Sequence, residues 1–314
     1  MSTRAGTAAP SASTIVSSAP VRRLRQGPVM PIGGAEEKSQ NQGQEVLERF
    51  FDLAGKKRAR IVVVPTASEE PEEAGKTYVE VFTKLGARAV DVLEINERRD
   101  ANEGPAIELL EQATGIFVTG GDQARLVSLL TGTKVMECIR QRNAQGVVVA
   151  GTSAGASAVA SHMLVGGTGL AGDSNDAAAR KGMVELVSGF GLLQDLIIDQ
   201  HFSQRGRMGR LLSAFAANPG LVGVGLDEDT AVLITRDGIL EVLGSGMVTL
   251  IDGRNATSDY FQREVGEVLS VIDSHLFVLG PGRRFNLDER RPLPFAETEE
   301  RAAAQLDQQS EQSE

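Results

Sequence analysis

The residues with the clearest chemical potential are Gly151-Thr152-Ser153-Ala154-Gly155, which follow the apolar run Val147-Val148-Val149-Ala150. A serine in a G-x-S-x-G frame at the end of a β-branched strand sits on a sharp strand-to-helix turn that holds its hydroxyl out as a nucleophile. The flanking glycines are required because a side chain at either position would collide with the adjacent strand or helix. The small, helix-compatible stretch Ala154 to Ala160 places the positive end of a helix beneath the serine, so that the N–H of Ala154 faces a developing oxyanion. In a chain with 35 glycines the same pattern also arises by chance, so the reading depends on partners for Ser153.

Hydrolysis of an amide by a serine needs a base, a group that fixes the tautomer of the base, and donors for the oxyanion. The chain has three histidines. His201 ends the apolar run that starts at Leu196, whereas His162 follows the helix after the serine and His275 lies inside an alternating strand pattern. Asp227, Glu228 and Asp229 follow the short apolar run Gly223 to Leu226, and residue type leaves all three open as the acid. Gly120-Gly121-Asp122-Gln123 closes the apolar run from Gly115; bare backbone there can approach a carbonyl and supply a second oxyanion donor, although paired glycines are also ordinary turn punctuation. The order Ser, His, acid differs from the Ser, acid, His order of the α/β-hydrolases. Arg205, Arg207 and Arg210 form a basic cluster in an acidic chain. Arg207 and Arg210 share a helical face, and arginine near a helix start opposes the dipole, which points to a bound anion, with a solvated face as the plain alternative.

The elements that position these groups alternate along the chain. Strands are expected at 28–32, 60–65, 89–95, 115–121 and from Val147, with helices at 44–53, 70–85, 106–112 and two more before Val147. Residues 162–186 read as a long loop, 196–201 as a strand, 204–217 as a helix and 223–226 as a short strand. Residues 231–282 read as an antiparallel extension of the same sheet, with turns at Arg236-Asp237-Gly238 and Asp252-Gly253-Arg254. The fold class is α/β, a mostly parallel sheet with helices on both faces and antiparallel strands toward the C-terminus. In such sheets ligands bind at the carboxyl ends of strands. Gly33-Gly34, Gly120-Gly121, Ser153, His201 and the acidic trio all fall there.

Composition excludes other classes. A net charge of −10 argues against nucleic-acid binding, and no apolar run approaches the length of a membrane span. The single cysteine, Cys138, excludes a disulfide framework or multi-cysteine metal site and reads as a buried structural thiol. Residues 1–27, rich in Ser, Ala and Pro with arginines and no acid, read as a disordered tail rather than a transit peptide. Residues 291–314 read as an acidic, Glu/Gln-rich tail, with one catalytic domain over 28–290.

Five segments together, Gly33-Gly34-Ala35-Glu36-Glu37-Lys38, Gly120-Gly121-Asp122-Gln123, Gly151 to Ala156, Asp199-Gln200-His201-Phe202 with Arg205, Arg207 and Arg210, and Gly225 to Ala231, resemble the cyanophycinases, serine-type exopeptidases related to peptidase E. The resemblance spans residues 28–282. It implies a three-layer αβα fold like the class I glutamine amidotransferase domain, with serine where those enzymes hold cysteine. It also implies hydrolysis of cyanophycin, a polyaspartate bearing an arginine on each β-carboxyl, to β-aspartyl-arginine. Carried over, Ser153 is the nucleophile, His201 the base and Glu228 the third member. Gly121 and Ala154 form the oxyanion hole, and Gln123, Asp199, Gln200, Arg205, Arg207 and Arg210 shape the pocket, with the arginines meeting carboxylates and Asp199 or another carboxylate meeting the guanidinium. No metal or organic cofactor is implied. A homodimer is implied, and a cytoplasmic location follows from the lack of a signal peptide and from where the polymer is stored. An α-aspartyl dipeptidase of the peptidase E kind and a non-catalytic small-molecule-binding protein remain the alternatives.

Overall fold

The computed structural model describes residues 27–36, 45–166 and 178–294. In chain order its elements are β1 (Val29–Ile32), α1 (Glu45–Leu53), β2 (Arg60–Val64), α2 (Pro71–Leu85), β3 (Ala89–Val92), α3 (Gly104–Glu111), β4 (Gly115–Val118), α4 (Gln123–Leu130), α5 (Lys134–Ala144), β5 (Val148–Thr152), α6 (Ala154–Ala158), β6 (Ala160–Gly166), β7 (Val184–Ser188), β8 (Leu193–Asp199), α7 (Met208–Ala217), β9 (Val222–Leu226), β10 (Thr230–Ile234), β11 (Ile239–Gly244), β12 (Val248–Asp252), β13 (Thr257–Ser258), β14 (Val271–Ile272), β15 (His275–Leu279), β16 (Arg284–Asn286) and β17 (Arg291–Pro292).

Nine strands form one sheet in the order β17-β16-β11-β10-β1-β5-β4-β2-β3. The half from β1 to β3 is parallel, and β10, β11, β16 and β17 continue it antiparallel beyond β1. The parallel strands read as continuous apolar runs because helices cover both faces. On β2 the alternation is explicit. Ile61 and Val63 pack with Phe50 of α1 and Phe82 of α2, while Val62 and Val64 join Leu110 of α3, Leu126 of α4 and Ile139 of α5 on the opposite side. Phe117 of β4 meets Phe50 and Phe82 edge-on at 5.3 and 5.4 Å between ring centroids.

Local chemistry sets the helix ends. Pro71 opens α2 with Glu72 and Glu73 in its first turn, and Gly86 closes it in the left-handed region at φ 95°. Asp122 caps α4, its Oδ1 accepting from the N–H of Ala124 at 2.7 Å and of Arg125 at 3.3 Å.

The structure departs from the sequence reading at several places. A second sheet, β15-β12-β9-β8-β6-β7, takes β12 and β15, so residues 231–282 do not extend a single sheet. The cause is chain length: α6, only five residues long, is too short to carry a parallel crossover, which takes about ten residues or more. The chain therefore leaves the first sheet at β5 and enters the second at β6. Within 162–186, read as a loop, β6 and β7 pair antiparallel; residues 167–177 lie outside the described residues. Helix α7 starts at Met208, not at Gln204. Arg291 and Pro292, beyond the boundary expected at residue 290, form the edge strand β17. The N-terminal tail expected over 1–27 lies outside the described residues except for Gly27, and so does the C-terminal one beyond residue 294.

The inner face of the second sheet shares the large core with the first through Met163, Ile198, Val224 and Leu250. Its outer face is covered by Leu211 and Phe215 of α7. Among the described residues no helix is long and apolar enough to cross a membrane.

Candidate active site

Three turns meet where the two sheets join. β5 of the first sheet delivers Ser153, β8 of the second delivers His201, and the link from β9 to β10, which passes from the second sheet back to the first, delivers Glu228. Ser153 has φ 52° and ψ −113°, a conformation that an L-residue holds only when its surroundings over-determine it. Glycine is needed on both sides. A Cβ on Gly151 would lie 2.3 Å from the Gly155 carbonyl oxygen, and one on Gly155 would lie 2.5 Å from that of Val118 in β4.

The side chains form a relay. Ser153 Oγ lies 2.9 Å from His201 Nε2, and His201 Nδ1 lies 2.7 Å from Glu228 Oε1. Among the three carboxylates that residue type left open, the contacts discriminate. Asp227 accepts from the backbone N–H of Ser203 and Met247, and Asp229 accepts from the Ser245 hydroxyl at 2.6 Å. Glu228 alone of the trio reaches the imidazole among the described contacts, and the Gln204 side-chain oxygen accepts from its backbone N–H at 3.1 Å. Burial holds the His201 pKa below the ordinary value of 6.5; the Glu228 hydrogen bond and charge oppose this, while the Arg205 and Arg207 charges add to it. The imidazole is therefore neutral at pH 7, the state a base requires.

Backbone approaches the serine closely from β4. A Cβ on Gly120 would lie 3.0 Å from the Ser153 Cβ, and Gly121 takes φ 138°, where a Cβ would lie 2.1 Å from the Ala67 carbonyl oxygen. Ala154 follows the serine as the first residue of α6 and is fully buried.

Residues 29–242 match Peptidase family S51. The chain belongs to peptidase family S51. Curated relatives agree: a cyanophycinase of Trichormus variabilis is 43% identical over 269 residues, covering 85% of this chain and 87% of the relative. One of Geminocystis herdmanii is 38% identical over 275 residues, covering 87% and 98%. Among solved structures, a peptidase from an acI-B1 Actinobacterium superposes with a TM-score of 0.61 at 21% identity, over 83% of this chain and 97% of that one. That likeness is one of fold, and it matches the α/β architecture described above.

Within this S51 peptidase the remaining pocket candidates divide into two groups. Asp199 is fully buried, 3.3 Å from Arg207 Nη1 and 3.0 Å from Arg210 Nε. Burial pushes its carboxyl up against the pull of Arg210 and Arg207. Arg207 also donates to the Gln200 side-chain oxygen at 2.8 Å, so Asp199, Gln200, Arg207 and Arg210 are one internal cluster. Arg205, in the turn before α7, is exposed. Gln123 donates its amide to the Leu164 carbonyl at 2.8 Å. Sequence reasoning passed over Gln204, Thr152 and the packing of Gly34 on the His201 ring, where a Cβ would lie 2.4 Å from Cε1. The paired Gly33-Gly34 after β1 was the sign in the sequence, but the contact of Gly34 with the imidazole depends on which strand brings His201 to it.

Proposed function

We propose that this peptidase is a cytoplasmic serine exopeptidase that hydrolyses cyanophycin to β-aspartyl-arginine through an acyl-enzyme, acting as a homodimer with one catalytic unit that runs from residue 28 through β17. The observation that carries the reading is the Ser153–His201–Glu228 relay at 2.9 and 2.7 Å, in a chain whose relatives include proteins named cyanophycinase. Ser153 Oγ attacks the scissile carbonyl while His201 Nε2 takes its proton. Glu228 holds Nδ1–H and stabilises the imidazolium. The backbone N–H groups of Gly121 and Ala154 receive the oxyanion. His201 then protonates the leaving amine, and water, activated by the same nitrogen, hydrolyses the acyl-enzyme and frees Ser153.

The charges suit that substrate. Each side arm ends in a guanidinium and a free carboxylate. We assign the carboxylate to the exposed Arg205, backed by Arg207 and Arg210, whose two charges exceed the single one of Asp199. Asp199 itself has no exposed surface, so we assign it to orienting those arginines, and Gln200 and Gln123 to the pocket wall. A homodimer is supported by the exposed Leu276 and Val278 on the edge strand β15, and sedimentation equilibrium checks it. The cytoplasm is supported by storage of the polymer there.

The test is to incubate the protein and Ser153→Ala with cyanophycin and, separately, with an α-aspartyl dipeptide. Release of β-aspartyl-arginine by the wild type and a fall of roughly 1000-fold or more in the variant are expected. Turnover of the dipeptide alone would reassign the substrate, and full activity in Ser153→Ala would overturn the mechanism.

A further inference from the structure

Three residues of the site region that are not glycine hold positive φ: Ser153 at 52°, His201 at 48° and Asp229, next to Glu228, at 49°. Each backbone N–H donates to a different carbonyl of one short segment, the end of β1. Ser153 N–H donates to Ile32 at 3.0 Å, His201 N–H to Gly33 at 2.9 Å, and Asp229 N–H to Gly34 at 2.9 Å. Gly33 N–H in turn donates to the Thr230 carbonyl at 2.8 Å. Three consecutive carbonyls thus receive the three turns that bring in the nucleophile, the base and the acid. The segment runs too close to its neighbours for side chains. A Cβ on Gly33 would lie 1.9 Å from the Asp227 carbonyl oxygen, and one on Gly34 would enter the His201 ring.

The segment needs an anchor, because the residue after Gly34, Ala35, is exposed and itself has φ 47°. Glu36 supplies it. Its carboxylate is 3% exposed and receives the Thr152 hydroxyl on Oε2 at 2.6 Å and the Tyr78 phenol on Oε1. Thr152 immediately precedes Ser153. Tyr78 belongs to α2 and packs on Phe117 with 4.5 Å between ring centroids, so the carboxylate joins the segment to the aromatic core and to the nucleophile turn at once. Burial and the Glu36 charge raise the Tyr78 pKa well above 10, which keeps the phenol a donor.

We propose that Ile32–Gly34 is the common template that sets the geometry of the three catalytic turns, and that Glu36 is the positioning residue that holds this template against the Ser153 turn through Thr152 and Tyr78. Glu36 does not touch substrate. It acts through the placement of the Ser153 hydroxyl and of Gly34 against the imidazole face.

The inference rests on the serine peptidase reading above, and the experiment separates the two. Glu36→Gln keeps the volume and replaces one acceptor oxygen by a donor; Thr152→Val removes the same hydrogen bond from the other side without altering the carboxylate. The number of competent sites in each is titrated with a fluorophosphonate, and kcat, KM and the pH profile are measured per titrated serine on cyanophycin, with Ser153→Ala in parallel. A fall in kcat of about 10-fold or more with KM within about twofold is expected in both variants, since a small misplacement of a nucleophile is costly and substrate contacts are intact. The acid limb of kcat/KM is expected to move to higher pH, because loosening Gly34 admits water to the imidazole and weakens the burial that lowers its pKa. A purely structural role would lower the melting temperature and the titrated fraction while leaving kcat per site and the acid limb where they are in the wild type. That result overturns the inference alone. Activity retained in Ser153→Ala overturns the assignment of Ser153 as nucleophile and the inference together.

Discussion

Ser153 and His201 each combine a strained backbone with a side chain in contact with the next member of the relay, so their substitutions separate chemistry from folding. Ser153→Ala removes one oxygen and leaves the backbone in place; thermal melting should stay close to wild type while hydrolysis is lost. Because burial lowers the His201 pKa from its ordinary 6.5, the imidazole is still mostly neutral at pH 6.5, and the acid limb of kcat/KM should fall below that value. Arg205→Gln removes a like charge that depresses the same pKa. The acid limb should then move to higher pH, and a profile unchanged or displaced downward would contradict the electrostatic assignment. At this level the sequence placed Ser153 and His201 each at the polar end of an apolar run, and the structure brings the two side chains to 2.9 Å. It was silent between Asp227, Glu228 and Asp229. Adjacent residues on a turn point in different directions, and one-dimensional spacing does not record which of them faces an imidazole arriving from another strand.

The strands and helices that carry these residues were legible where periodicity is strong. β1, β2, β4, β5 and the helix α2 fall where apolar runs and caps put them. The region after Ser153 was not, because β6, which pairs with β7 and with β8, and the edge strand β7 carry no regular apolar alternation. Helix α7 starts later than its sequence suggests because Gly206 takes φ 59° and breaks the segment into a turn, from which Gln204 reaches the Glu228 N–H and Arg207 reaches Asp199. The helix α4 gives a direct test of local chemistry. Asp122→Ala deletes two capping hydrogen bonds and should cost about 1 kcal/mol of stability, read as a lower unfolding midpoint. The same cap fixes the residue after Gly121, so kcat should fall more than KM rises.

At the level of the folded chain, stability and activity are carried by different parts. Phe285 of β16 is fully buried against Phe277 at 5.1 Å, and β11 and β10 stand between β16 and β1. Phe285→Ala should cost roughly 3–5 kcal/mol and lower the melting temperature clearly, while kcat measured well below that temperature stays near wild type. Loss of kcat in a folded Phe285→Ala protein would show that β16 influences the site through β11 and β10. Residue type and period were enough for the α/β class and for putting Ser153 and His201 at the carboxyl ends of strands, because apolar alternation and glycine placement are written locally in the chain. The split into two sheets, the contact of Glu228 rather than its neighbours with His201 and the convergence of three turns on Ile32–Gly34 required the folded structure. Each depends on which distant strands become neighbours, and that is settled by packing over the whole core and by the length of the short links between sheets.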